Sequence, residues 1–183
     1  MKLTLLICAL GTGISLNTWA EIPTHCTGNE YAIVNAWMGK TVATESGYKN
    51  TRQGKLLSLC ADQPREPFGR VSYRYGLPGQ VEMNIDATSK EPFTIANFST
   101  SPHTGMDVVG IYRGEFSYYV GINGGQASGI ELMVFKGAKK IVDHFSGNQE
   151  GEDFQLGAAE INLSGNKARS AVLKMGKLKH SLF

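Results

Sequence analysis

The sequence predicts an all-β fold: one antiparallel β-sandwich or small β-barrel with a less regular C-terminal segment. Three observations carry this. Short segments of β-branched and aromatic residues recur about every ten residues. Turn residues of defined type separate them. The chain has 183 residues, 22 of them glycine, and a length of this order suits a single domain whose core needs no metal to stay folded.

The elements follow in order. Residues 1–20, MKLTLLICALGTGISLNTWA, read as an export signal. Lys2 supplies a positive start, Leu3 to Leu16 an apolar stretch too short to span a bilayer, and Ala20 the small residue at the cut. The expected mature domain is 21–183, with core strands in 21–145 and a C-terminal extension in 146–183. A lipoprotein reading through Cys8 fails because Ile7 stands where a small residue belongs. Tyr31 to Trp37 is the first strand, and polar residues Thr44 to Gly54 read as a long loop. Lys55 to Ala61 is the second strand. Pro64 to Pro67 breaks the chain.

The strongest hairpin joins Arg70–Tyr75 to Gln80–Asp86. Val71, Tyr73 and Tyr75 share one face, as do Val81, Met83 and Ile85. Leu77-Pro78-Gly79-Gln80 suits a type II turn, with glycine where φ is positive. The apolar sets align only when paired numbers sum to an even value, and one such register sets Arg74 opposite Glu82. Pro92 to Ser99 reads as an edge strand, because proline opens it. Asp107–Tyr112 with Phe116–Ile122, and Ile130–Phe135 with Lys140–Phe145, form two more hairpins. Asn123 to Gly129 joins them as a glycine-rich, mobile surface loop. Beyond Ser146 the pattern fades to short-strand hints at 154–156 and 160–163 and a helical turn or two at 167–174.

Cys8 leaves with the signal, and Cys26 and Cys60 remain. Outside the reducing cytoplasm they most simply form one disulfide. Neither lies in a CxxC, and His25 beside Cys26 makes a poor chelate. The four histidines, His25, His103, His144 and His180, are scattered, so neither a metal site nor a cofactor is expected. Asp143 and His144 face opposite ways on a strand and form no relay. No nucleophile elbow, phosphate loop or dinucleotide fingerprint occurs. Glu82, Glu115 and Glu131 lie in or beside strands as ordinary solubilising groups, although carboxylate pairs meet in space rather than in sequence. Catalysis is thereby disfavoured but left open.

The formal net charge of +2 predicts no nucleic-acid partner. Acidic residues at 150–160 precede basic ones at 167–179. They read as solvated segments, or alternatively as a basic tail for an acidic partner. No stretch after Ala20 is long and apolar enough for a membrane helix. Terminal Phe183 lacks the alternating apolar neighbours of an outer-membrane strand, because Ser181, Lys179 and Lys177 precede it.

On the second hairpin, Phe116, Tyr118, Val120 and Ile122 share the expected core face, which puts Tyr119 on the surface. Tyr119, the loop residues Asn123, Gly124, Gly125 and Ser128, and Arg74 form the expected recognition surface, since aromatics and arginine favour interfaces.

Cys26-Thr27-Gly28, Leu57-Ser58-Leu59-Cys60, Val71 to Gly79, Val81-Glu82 and a Gly129–Gly137 element together resemble an uncharacterised family of small secreted bacterial β-domain proteins. That resemblance covers about Cys26 to Phe145 and implies a β fold and an envelope location, with no functional residue transferred. In size and architecture the chain is similar to periplasmic lysozyme inhibitors and immunity proteins. The expected function is accordingly a periplasmic or secreted domain that binds another envelope protein, an inhibitor or immunity protein of a cell-wall-active enzyme. The alternative is a carbohydrate or peptidoglycan binder using the tyrosines and the basic tail, and a further alternative is an enzyme of unrecognised type.

Overall fold

The computed structural model describes residues 22–101, 104–161 and 170–182. The expected export signal at 1–20, His103, residues 162–169 and Phe183 lie outside them. The chain forms β1 (Tyr31–Met38), β2 (Thr41–Thr44), β3 (Gly47–Asn50), β4 (Lys55–Ala61), β5 (Val71–Leu77), β6 (Gln80–Ala87), β7 (Phe93–Ser101), β8 (Thr104–Arg113), β9 (Phe116–Asn123), β10 (Gly129–Lys136), β11 (Lys139–Phe145), β12 (Phe154–Leu156) and β13 (Leu173–Met175).

Two sheets pack face to face as a β-sandwich, with no closed barrel. The first has the order β12-β1-β4-β5-β6, the second β11-β10-β9-β8-β7-β13, and β2-β3 is a separate hairpin. No helix among the described residues is long and apolar enough to cross a membrane.

Period-two alternation builds the core. Leu57 and Leu59 of β4, Val71 and Tyr73 of β5, Val109 and Ile111 of β8, and Ile130, Leu132 and Val134 of β10 all point between the sheets. Val120 and Tyr118 of β9 join them, as the shared face of 116–122 predicts. Fully burying each large apolar side chain stabilises the fold by about 1.5–3 kcal/mol relative to leaving it exposed.

The three expected hairpins form. Leu77 pairs with Gln80 across Pro78-Gly79, and Gly79 has φ +76°, as a type II turn requires. The register differs from the Arg74–Glu82 alignment. A bulge between Tyr75 and Gly76 sets Arg74 opposite Asn84, while Tyr73 still faces Ile85 and Tyr75 still faces Met83. The parity rule survives because the core face dictates it, and the extra residue is absorbed beside the turn.

Three further expectations change. Residues Thr44 to Gly54 contain β3 and the turn of the β2–β3 hairpin rather than one loop. The Pro92 strand is not an edge: β13 adds to β7 in parallel, with Leu173 opposite Phe93. Pro92 precedes the strand, so its missing N–H removes no ladder bond, and Phe93 donates to the Val172 carbonyl at 2.9 Å. Leu173 and Lys174, expected in a helical turn, are therefore strand. The C-terminal extension is integral to the sandwich. Phe154–Leu156 adds to β1 in the first sheet, and Leu173–Met175 completes the second.

Each outer face is covered by a chain end. Residues 22–30 lie over the first sheet: Cys26 is bonded to Cys60, His25 N–H donates to Ser58 Oγ at 3.0 Å, and Thr24 Oγ1 donates to Asn35 Oδ1 at 2.8 Å. Residues 176–182 lie over the second, against a separate apolar cluster of Met106, Val108, Tyr119, Met133 and Phe135. The places left for recognition are the ends and open edges of the sandwich.

Candidate functional site

The expected recognition residues divide into two groups. Tyr119 is not on display; it is 0 % exposed. Its hydroxyl lies 2.7 Å from His180 Nδ1, while His180 Nε2 lies 2.8 Å from the Gly137 carbonyl. The carbonyl can only accept, so Nε2 carries the proton and Nδ1 accepts from the phenol. The imidazole also stacks on Phe135, with centroids 4.2 Å apart. Burial, first of all, pushes the Tyr119 phenol up to about 12. The alternation argument places Tyr119 correctly on the outer face, but the C-terminal strap covers that face. Tyr112 is occupied too, with Lys179 Nζ 4.2 Å from its ring centroid. One lysine of the basic tail thus lies against the protein's own Tyr112.

Arg74 is also committed to structure. Its guanidinium holds both oxygens of Glu30 and donates to the His25 carbonyl at 2.9 Å. The Arg74 side chain is 12 % exposed and that of Glu30 is 2 % exposed. Arg74 therefore offers little surface to a partner.

The loop residues do come together with others that sequence reasoning missed. Asn123 and Ala127 line an open groove of about 440 Å³ with Ser46, Tyr48, Glu131, Phe145 and Asn148. Gly124 and Gly125 are exposed beside it. The segment joining β9 to β10 is a single 3-10 turn at Gly125–Ala127, anchored where Gly124 N–H donates to the Gly105 carbonyl at 2.9 Å.

Three loops meet here and are tied to one another. Asn148 is the hub: its Oδ1 accepts from Tyr48 N–H at 2.7 Å and its Nδ2 donates to the Ser128 carbonyl at 2.8 Å. Asn148 N–H donates to the Tyr48 carbonyl at 2.8 Å. At Gly47, φ is +129° and a Cβ would come 2.5 Å from Asn148 Oδ1, so only glycine lets the hairpin approach this closely. Ser146 Oγ accepts from Ile130 N–H at 2.9 Å. Asp153, within the acidic stretch expected in solvent, is buried: it accepts from Asn50 N–H at 3.1 Å and Gln149 N–H at 3.3 Å. Burial pushes its carboxyl up, and those two N–H groups oppose the shift.

On this frame Tyr48 is 52 % exposed, set edge-on to Phe145 with centroids 6.4 Å apart. Glu131 is the carboxylate among the lining residues. Burial raises its pKa and the Asn123 amide opposes the rise. Asp143, whose charge also acts on Glu131, is paired with Lys140 and does not line the groove. Carboxylate-pair hydrolysis needs two free acids flanking a bond, which this groove does not supply. Among the described residues no three His, Cys, Asp or Glu gather as a metal site. The arrangement can bind through one aromatic, several amides and hydroxyls, and a carboxylate.

Comparison with protein-family models, with curated proteins and with solved structures finds no match to the chain.

Proposed function

We propose that this chain is an exported, non-catalytic binding domain that recognises another protein of the bacterial envelope, as an inhibitor or immunity protein of a cell-wall-active enzyme. The observation that carries this reading is the loop end, where an exposed tyrosine stands on three loops cross-tied through Asn148. A surface held rigid before binding loses less conformational freedom on association, which favours tight protein recognition. Tyrosine at the centre of such a surface is a frequent energetic anchor. The disulfide agrees with an oxidising compartment, and the export signal read from residues 1–20 supplies the route.

The test is inhibition of purified lysozymes and peptidoglycan amidases by the mature protein. Micromolar or tighter inhibition is expected for at least one of them, with Tyr48→Ala weakening it at least tenfold. Tyr31→Ala, on a different surface, should leave it unchanged. Absence of inhibition, with no envelope protein retained on an affinity column, counts against the reading.

Tyr48 flanked by Asn123, Asn148 and Glu131 favours one alternative, a cell-wall glycan stacked on the ring. Retention on isolated peptidoglycan that is lost in Tyr48→Ala, without any enzyme inhibition, selects it.

A further inference from the structure

A second cavity lies between the sheets and shares no lining residue with the groove at the loop end. It opens between the edge strands β6 and β11 and has a volume of about 390 Å³. Tyr73 and Tyr118 form its floor, with rings 5.8 Å apart. Tyr75 and Met83 line one wall, and Phe116 and Val134 the other. Ile141, 47 % exposed, forms part of the lip. Core packing is complete at Leu59 and Ile111 but stops short here, so Met83, Phe116 and Val142 are only partly buried. The volume falls at the small end of ligand pockets, roughly 300–1,000 Å³.

The polar groups around this cleft are phenols and cations, together with two carboxylates, Glu82 and Glu115, that are each paired with a lysine. Tyr73, Tyr75 and Tyr118 contribute phenols, and burial raises the pKa of each, which keeps them neutral hydrogen-bond donors. Arg113 continues the inward face of β8 after Val109 and Ile111. Its Nη1 reaches across the gap to the Asn84 carbonyl of β6 at 3.5 Å, and it meets no carboxylate among the described residues. Lys136 continues the inward face of β10 after Leu132 and Val134, and its Nζ lies 5.7 Å from the Phe116 ring centroid. Lys55 Nζ lies 5.7 Å from the Tyr75 ring centroid. Lys136 and Lys55 also pair with Glu115 and Glu82, which leaves Arg113 as the guanidinium best placed to take an outside anion. Arg113 is exposed at the end of its strand, so its guanidinium is open to an anion held at the mouth of the cleft.

We infer that the cleft binds a monomeric single-chain amphiphile with a carboxylate head. The acyl chain enters between Tyr75 and Val134, and the carboxylate stays at the mouth against Arg113 and the tyrosine hydroxyls. The cleft's apolar lining selects the chain, its volume limits the ligand to one chain, and the inward cation selects the charge.

Isothermal titration of the mature protein with octanoate, dodecanoate and dodecanol, all below their aggregation concentrations, tests this. Dodecanoate is expected to bind saturably at one site. It should bind more tightly than octanoate, by up to roughly fourfold per added methylene while the cleft has room. Dodecanol should bind about tenfold more weakly, for want of the charge-assisted contact. Arg113→Gln should erase the difference between dodecanoate and dodecanol, and Met83→Trp, which fills the cleft, should abolish both. Arg113 lies outside the packed core, so its variant remains informative if Met83→Trp does not fold. No saturable binding of dodecanoate, binding indifferent to both substitutions, or association with phosphatidylglycerol vesicles alone would each overturn the inference. None of these results bears on Tyr48, so the two sites stand or fall separately.

Discussion

Arg74→Met is expected to destabilise the protein at pH 7 by about 2–3 kcal/mol, read as a lower urea midpoint with an unchanged slope. Glu30 is the reason. Its side chain is almost wholly buried against Arg74, and its other partners are the Thr27 N–H and hydroxyl and the exposed Arg70. Removing Arg74 strands a carboxylate away from water. The loss falls at the lower edge of what breaking a buried pair costs, because Thr27 and Arg70 remain. The Arg74 hydrogen bond is the largest influence on Glu30, and it outweighs the opposing effect of burial. The carboxyl is thereby held down from its ordinary 4.5 to about 2.

That depression fixes the pH dependence. A folded-state pKa below the unfolded value means that the unfolded chain binds more protons between them, so stability rises with pH in that window. The contribution is fully present above about 4.5 and fades as pH falls through about 2. The gap between wild type and Arg74→Met should accordingly be widest at neutral pH and largely closed near pH 2. Equal midpoints at pH 7 would show that the ion pair contributes nothing net.

Replacing Cys26 and Cys60 together with serine is expected to cost about 3–4 kcal/mol on the chain-entropy model, because the bridge closes a loop of 34 positions. Reducing agent added to the wild-type protein should shift the urea midpoint by a similar amount. The loss should first appear locally, as faster hydrogen exchange at residues 24–30, which lie over the first sheet. The disulfide and the Glu30–Arg74 pair hold the same segment: one bonds Cys26, the other grips Glu30 and the His25 carbonyl. Their effects should be sub-additive in a combined variant, since neighbours sharing one structural element couple. Full additivity would mean that the segment is not a unit.

What the sequence made legible follows from range. Turn chemistry is local, and Pro78-Gly79 marks its hairpin without reference to the rest of the fold. Alternation is nearly local, and it separates Tyr118 from Tyr119 onto opposite faces. It does not say what lies over the second face. Tyr119 reads as exposed until residues 176–182, which carry no periodicity, are seen lying across it. Arg74 presents the same difficulty, because its partner Glu30 is 44 positions away. The β2–β3 hairpin was hidden for another reason: its residues are largely exposed, so no buried face imprints a pattern.

The loop end was half legible. Asn123 and the glycines announced a loop, and Ser128 stood out beside them. Tyr48 and Asn148 gave no signal because their meeting depends on the β2–β3 hairpin reaching the segment that follows β11, 100 positions along the chain. The inter-sheet cleft had no local signature at all. Arg113 and Lys136 each end a strand beside a turn, and only the pairing of both hairpins shows that they share the inward face.

Photo-crosslinking from position 48 tests most directly where this protein makes contact. The mature domain carrying benzoylphenylalanine in place of Tyr48 would be irradiated in intact envelope extract, beside the same substitution at Tyr31. A discrete protein adduct from position 48, competed away by unlabelled wild type and missing from position 31, is the expected result. An adduct from position 31, with none from position 48, would place recognition on a different surface and contradict the proposal.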